Sequence, residues 1–320
     1  MTDIKTIKKA RRYSNWALRS LYFLLFSLAI LLPVLVVVTV AIYGSFGTIS
    51  AGYVLAYFGS IVICIIAISA SAYVETRRMG SKWYAFGLNF DKFAFRQFIF
   101  GGALALGSSA VFILAALAYG FKIAPGQATS LALVHTFLFF FFGAAAEELL
   151  GRGIFFQAIE QRFGGAVATI VMSFIFAASH IFNPEFAFLP FINTFLAGVL
   201  LSVMYIFTRS LWLPISFHFF WNFFQQVLLG SPVSGVDFGV HVFEISFVPA
   251  TAPVITIFGG AYGIEAGVLT TLLLVASIIP VVKYSNISPY LSSILYKRDY
   301  NESKLIHGEF DDGEELSGHS

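Results

Sequence analysis

What this sequence has least of is charge: 11% of its 320 residues are Asp, Glu, Lys or Arg, against about 25% in an ordinary soluble domain. So few charges cannot cover a water-facing surface, and a soluble globular protein is excluded. Cysteine is nearly absent as well. The single Cys64 sits in an apolar run and cannot pair within the chain, so there is no disulfide framework from which to read a compartment. A clustered basic face is missing too. The formal net charge is +2 and the charges fall in short segments between apolar runs, which argues against a nucleic-acid partner, because phosphate binding needs such a face. No internal repeat is evident, which counts against a secondary transporter built from two related halves. A His-Glu-x-x-His helix, one arrangement that carries zinc hydrolysis, does not occur.

What is present is apolar: 58% of the residues are hydrophobic, 18% are aromatic and 38 are Phe. Lipid is a solvent in which such side chains need no hiding. Apolar stretches long enough to cross about 30 Å of hydrocarbon run near 21–43, 51–74, 98–120, 131–158, 166–182, 189–208, 211–229 and 261–282. They predict an all-α fold, a polytopic membrane bundle of about eight transmembrane helices. The first stretch is longer than a signal-peptide core and lacks a small-residue cleavage site, so it reads as a retained span. Lys5, Lys8, Lys9, Arg11, Arg12 and Arg19 precede it, and Arg77, Arg78, Lys82, Lys92 and Arg96 follow the second. By the positive-inside rule both ends of that hairpin are cytoplasmic. Continued alternation puts Arg162 and Arg209 inside, the 230–260 stretch outside, and both termini in the cytoplasm of a multi-pass cell-membrane protein. Four regions result: a basic segment at 1–20, amino-terminal transmembrane helices at 21–125, a transmembrane core at 126–285, and a polar tail at 286–320. The tail carries Glu309, Asp311, Asp312, Glu314 and Glu315 and is too polar to order itself.

Ionisable groups at membrane depth cost roughly 2.5 to 3.5 kcal/mol each on insertion scales, so they are usually functional or paired. Here they cluster. The fourth stretch contains Glu147, Glu148 and Arg152 within Ala-Ala-Ala-Glu-Glu-Leu-Leu-Gly-Arg-Gly. Glu148 and Arg152 are four apart and share a helix face, which lets the guanidinium neutralise that carboxylate. Glu147, rotated by about 100°, shares its stripe with Gly143, Ala144 and Gly151, where a substrate backbone can approach, and is the candidate base. Counting outward from the turn at 162–165, Glu148 and His180 reach similar depth on antiparallel neighbours. His218 and Asn222 are four apart on one face of the seventh stretch and supply a third wall. These are parts for amide hydrolysis: a carboxylate and a histidine to deprotonate water, and a histidine with an amide to stabilise an oxyanion. Phe176 reads as packing for His180, and the other Phe residues as lipid-facing. His135 and Glu265 have no evident partner and read as structural.

The set Glu-Glu-x-x-x-Arg (Glu147, Glu148, Arg152), Phe-x-x-x-His (Phe176, His180) and His-x-x-x-Asn (His218, Asn222) resembles the type II CAAX prenyl endopeptidases, the CPBP or Abi family of intramembrane glutamic peptidases. The three motifs occur in order in successive apolar stretches. The resemblance spans roughly 143–225 and makes 126–285 the catalytic core. It implies an eight-helix, metal-free and cofactor-free endopeptidase in which Glu147 and His180 activate water, His218 and Asn222 form the oxyanion site, and Glu148, Arg152 and Phe176 support them. Its partners are then a membrane-associated or CAAX-like peptide substrate and membrane lipids; the sequence defines neither the oligomeric state nor whether the substrate is prenylated.

Other readings stay open. A noncatalytic binding or bacteriocin-immunity protein keeps the same fold, and Glu147, His180 and His218 offer three ligands to zinc. A proton-relaying transporter also uses buried acids and histidines. For the individual residues the plainer alternatives are a buried ion-pair cluster, hydrogen-bonded core histidines and interhelical amide glue.

Overall fold

The computed structural model describes residues 87–88, 92–246 and 252–285. The first two apolar stretches, Cys64, the basic amino-terminal segment and the acidic tail lie outside the described residues. Within them the elements are α1 (Lys92–Ala118), β1 (Lys122–Pro125), α2 (Ser130–Glu148), a π-helical stretch (Leu149–Phe155), α3 (Phe156–Phe163), α4 (Gly165–Ala178), α5 (Phe188–Thr208), α6 (Trp212–Val227), β2 (Phe243–Ser246), α7 (Ala252–Phe258), a 3-10 turn (Ile264–Ala266) and α8 (Val268–Ser285). Three of the described helices are long and apolar enough to cross a membrane: 92–118, 130–153 and 188–208. The chain is a helical membrane protein.

The helices lie where the hydrophobic runs put them, with adjustments that have local causes. The fourth apolar stretch is not one continuous helix. The four-residue hydrogen-bond spacing of α2 widens to five in a π-helical stretch that contains Gly151 and Gly153, and the chain then continues in α3 to Phe163, beyond the expected end near 158. π-bulges of this kind occur often at functional sites. The fifth stretch stops as a helix at Ala178, so His180 stands in the following turn rather than on the helix. Ser179 Oγ and His180 Nδ1 both bond back to the Phe176 carbonyl, at 2.7 and 2.8 Å, and close off the last turn. Asn183-Pro184 follows, a pair that disfavours continued helix. The last stretch begins its helix at Val268, later than 261, because Gly259 and Gly263 hold positive φ and turn the chain before it.

One feature departs from the all-α reading: β1 and β2 form a short antiparallel pair with Lys122 opposite Ser246 and Pro125 opposite Phe243. A short helix, α7, also occupies part of the 230–260 stretch. Strand pairing between segments more than 100 residues apart leaves no trace in local periodicity.

One core joins α1, α5, α6 and α8 through Phe112, Leu200, Leu201, Met204, Phe217 and Leu274. Glycine makes one close approach within it. A Cβ on Gly101 of α1 would lie 2.9 Å from the Leu213 carbonyl oxygen and the Phe217 nitrogen of α6, the small-residue contact by which membrane helices approach. Gly198 of α5 meets Ser173 of α4 similarly, with an added Cβ 2.8 Å from the Ser173 Cα. The outward faces are apolar, with Ile99, Leu106 and Leu114 of α1, Ile170 and Phe174 of α4, and Leu272 and Ile279 of α8 all exposed. The phenylalanines divide between the two environments. Phe95, Phe174, Phe182 and Phe188 are exposed as expected of lipid-facing residues, whereas Phe112, Phe156, Phe217 and Phe219 are buried. Phe112, Phe156 and Phe219 each make an edge-to-face contact, as in Phe141 on Phe219 at 5.5 Å and 87°, an arrangement the ring quadrupole favours.

Gly101→Ala is expected to destabilise the protein by about 1 to 3 kcal/mol through overpacking against α6 backbone. Gly107→Ala, on the same helix with nothing within 4 Å of an added Cβ, is expected to be neutral or slightly stabilising. Thermal unfolding in detergent compares them, and equal melting temperatures for the two variants would contradict the close-packing account.

Candidate active site

The site is built around an ion pair sealed inside the bundle. Arg152 Nη1 lies 2.9 Å from Glu148 Oε1, and the two side chains are 1% and 0% exposed, so the charges face protein rather than solvent. The i, i+4 spacing survives into the π-helical stretch. Arg152 Nη2 donates to the Gly198 carbonyl at 3.0 Å, a contact reachable only because Gly198 lets α5 come close to α4. The guanidinium also lies over the Phe176 ring, 5.0 Å from its centroid, a cation–π arrangement that offsets part of the desolvation.

His218 enters this cluster from α6. Its Nδ1 is 3.0 Å from the same Glu148 Oε1, so one carboxylate oxygen receives both a guanidinium and an imidazole. A carboxylate at that distance accepts, so Nδ1 carries the hydrogen and Nε2 is turned toward Glu147, 3.9 Å from its Oε2. The two neighbouring glutamates therefore stand in opposite surroundings. Glu148 is wholly enclosed, while the Glu147 side chain is 49% exposed. Added Cβ atoms at Gly143 and Gly151 meet nothing within 4 Å, so the two glycines of the stripe beside Glu147 border open space, whereas Ala144 between them is buried against Phe140 and Phe219.

His180 reaches the cluster through Phe176. The Phe176 ring is 5.0 Å from the His180 ring and 5.8 Å, edge on, from the His218 ring. Because the Phe176 carbonyl can only accept, the His180 contact to it at 2.8 Å requires hydrogen on Nδ1 and leaves the Nε2 lone pair free. Each histidine thus has one nitrogen committed to the protein and the other available. Asn222 is a helical turn beyond His218, half-buried, and its side chain forms no hydrogen bond among the described residues.

Glu147, Glu148, Arg152, Phe176 and His218 are thus linked by contacts, with His180 attached through Phe176 and Asn222 adjacent along α6. Among the described residues no three His, Cys, Asp or Glu side chains converge closely enough to hold a metal ion. The side chain of His135 lies outside the described residues. Glu265, read from sequence as structural and partnerless, does have a partner: its Oε2 accepts from Ser234 N–H at 2.7 Å and from Ser234 Oγ at 2.9 Å. The two residues are thirty-one positions apart in loop segments, so helical spacing could not pair them. Gly198, whose carbonyl receives Arg152, was equally invisible to motif reading.

Residues 128–224 match the family described as type II CAAX prenyl endopeptidase Rce1-like, which carries the resemblance drawn from the three motifs. The matched segment runs from the residue before the Thr129 N-cap of α2 to near the end of α6 and includes every site residue named above. No individual curated protein matches the chain. The family match supports a peptidase, and the apolar helices a membrane setting.

Arg152→Leu leaves the buried Glu148 carboxylate with His218 as its one remaining donor and is expected to cost about 3 to 5 kcal/mol. Glu148→Gln in the same chain is expected to restore a large part of that loss, since it removes the buried charge that Arg152 had balanced. Thermal unfolding of the two single variants and the double variant checks this, and additive losses would show that the pair is not coupled.

Proposed function

We propose that this protein is an intramembrane endopeptidase that hydrolyses a peptide bond of a membrane-associated or CAAX-like substrate with water activated by Glu147 and His180. The observation that carries the reading is the contrast between adjacent glutamates: Glu148 is sealed against Arg152 and His218, while Glu147 is half exposed beside an open glycine stripe. A purely structural ion-pair cluster has no use for the second, exposed carboxylate.

In this mechanism Glu147 takes a proton from a water molecule that also hydrogen-bonds the free Nε2 of His180. The water oxygen attacks the scissile carbonyl carbon, and negative charge develops on the carbonyl oxygen. In its doubly protonated form His218 donates from Nδ1 to Glu148 and still has an Nε2–H to offer that oxyanion, together with the Asn222 amide. Collapse of the tetrahedral intermediate breaks the C–N bond, and the proton first taken by Glu147 passes to the leaving amine. Arg152 and Glu148 keep His218 in register, and Phe176 separates the two imidazoles while packing on both. No cofactor enters the scheme.

The same reading takes the chain as multi-pass, with about eight spans in the cell membrane and both termini cytoplasmic, and with lipids and a peptide substrate as its partners. Substrate then reaches Glu147 along the glycine stripe.

Purified protein in detergent, offered quenched fluorescent peptides in prenylated and plain forms, tests the reading. Cleavage is expected to survive chelator and to fall by at least about 100-fold in Glu147→Ala and in His180→Ala, the usual scale for losing a general base. Loss of cleavage on chelation would favour zinc chemistry, and equal activity of the variants and the unaltered chain would remove Glu147 and His180 from the mechanism.

A further inference from the structure

Glu265 is a carboxylate that the hydrolytic scheme leaves unused, although it stands close to the site. It carries electrostatic interactions with both His180 and His218. Its surroundings connect it to one of them by a continuous chain of hydrogen bonds. Glu265 Oε2 accepts from the Ser234 backbone N–H and from its hydroxyl. The Ser234 carbonyl accepts from Asn183 Nδ2 at 3.0 Å, and the Asn183 N–H donates to the His180 carbonyl at 3.0 Å. The loop at 231–235 is thereby laid on the turn that carries His180.

The carboxylate end of this chain is itself anchored. Asn193 of α5 donates through Nδ2 to the Glu265 carbonyl at 2.7 Å and to the Gly267 carbonyl at 3.0 Å, and Thr271 donates to Asn193 Oδ1 at 2.6 Å. Ile264 N–H donates to Ser231 Oγ at 3.0 Å, and Gly235 N–H to the Tyr262 carbonyl at 2.9 Å. Gly235 packs so closely on the Pro184 carbonyl that a side chain there would collide with it.

Left-handed backbone occurs in the loop at Ser234 and just past the turn at Glu185. Ser234 has φ 48° and Glu185 has φ 56°, a left-handed conformation that residues with a Cβ adopt only where surrounding contacts impose it. At Ser234 the left-handed φ belongs to the two-residue turn Ser234-Gly235, φ 48° and 83°, that pairs Val233 with Val236, and Glu265 grips this turn through two bonds. A carboxylate taken largely out of water is retained where it does something that an apolar residue cannot, and here that is to hold two donors on one oxygen.

We propose that Glu265 is a positioning residue for His180: by gripping Ser234 through two hydrogen bonds, it pins the 231–235 loop to the His180–Asn183 turn and sets where the free imidazole nitrogen stands. The meaning of His180 rests on the peptidase reading, while the linkage itself does not. The residue does not touch the reacting atoms and acts through the loop.

Hydrogen exchange of the full chain in detergent, read by mass spectrometry, tests the linkage without a substrate. Glu265→Ala is expected to speed exchange about tenfold or more over 180–183 and 231–236, the scale for losing hydrogen bonds to a charged group, with α1 and α6 unchanged. Glu265→Gln, whose amide oxygen still accepts from Ser234, is expected to keep most of the protection, and Ser234→Ala to fall between. Where cleavage is measurable, kcat is expected to fall in Glu265→Ala with KM little changed, and to recover in Glu265→Gln. Unaltered exchange at 180–183 in Glu265→Ala, or no rescue by Gln, would overturn the proposal. If Glu265→Ala does not fold, unaltered exchange at 180–183 in Ser234→Ala overturns it equally. Absence of cleavage by the unaltered chain counts against the peptidase reading alone, since the exchange comparison still decides the linkage.

Discussion

The structure turns on one carboxylate oxygen. Glu148 Oε1 accepts from Arg152 and from His218, and each donor arrives from a different element. Moving two charged groups into a low-dielectric interior costs several kcal/mol per ion unless geometry and further hydrogen bonds compensate. The compensation dictates much of the surrounding architecture. Arg152 needs the Gly198 carbonyl, which needs α5 to lie against α4, which needs glycine at 198 opposite Ser173. The Phe176 ring must face the guanidinium, and that places the Phe176 carbonyl and His180 at the end of the same helix. A polar cluster of this kind specifies one arrangement of helices where apolar packing alone would tolerate several.

The same constraint separates adjacent residues into different chemistries. Glu147 and Glu148 have identical side chains, and their difference in exposure follows from a rotation of about 100° around the helix. One points into the cluster and is spent on holding it together, and the other points along a stripe whose glycines leave room. Two histidines arrive with Nδ1 already engaged, which orients both rings and leaves the opposite nitrogen toward the site. Pre-orientation of this sort spares the reorganisation that the proposed proton transfer would otherwise require.

Most of the described helices and the motif residues were legible in the sequence. Apolar run length marks a membrane helix because hydrocarbon cannot satisfy backbone polar groups, and intramembrane charge marks a site because it is costly. The Glu148–Arg152 pair was legible for the further reason that i, i+4 spacing determines contact on a helix. Other features were not. The π-helical stretch at Leu149–Phe155 keeps that pair while shifting the chain after it, and a period of 3.6 extended blindly passes over it. His180 belonged by pattern to a helix, and carbonyl capping at Phe176 put it in a turn. The division of phenylalanines between core and lipid escaped composition entirely, because both environments accept the ring.

By itself the sequence determined a helical membrane protein, the order of its apolar segments, and the residue types that gather at its polar centre, since each follows from solvation or from spacing along one helix. Only the tertiary structure decided that His218 joins Arg152 on one oxygen of Glu148, that β1 pairs with β2, and that Glu265 grips Ser234. Those outcomes depend on contacts between segments far apart in the chain. Their energies come from desolvation and hydrogen-bond geometry in three dimensions, for which no local pattern of residues is a substitute.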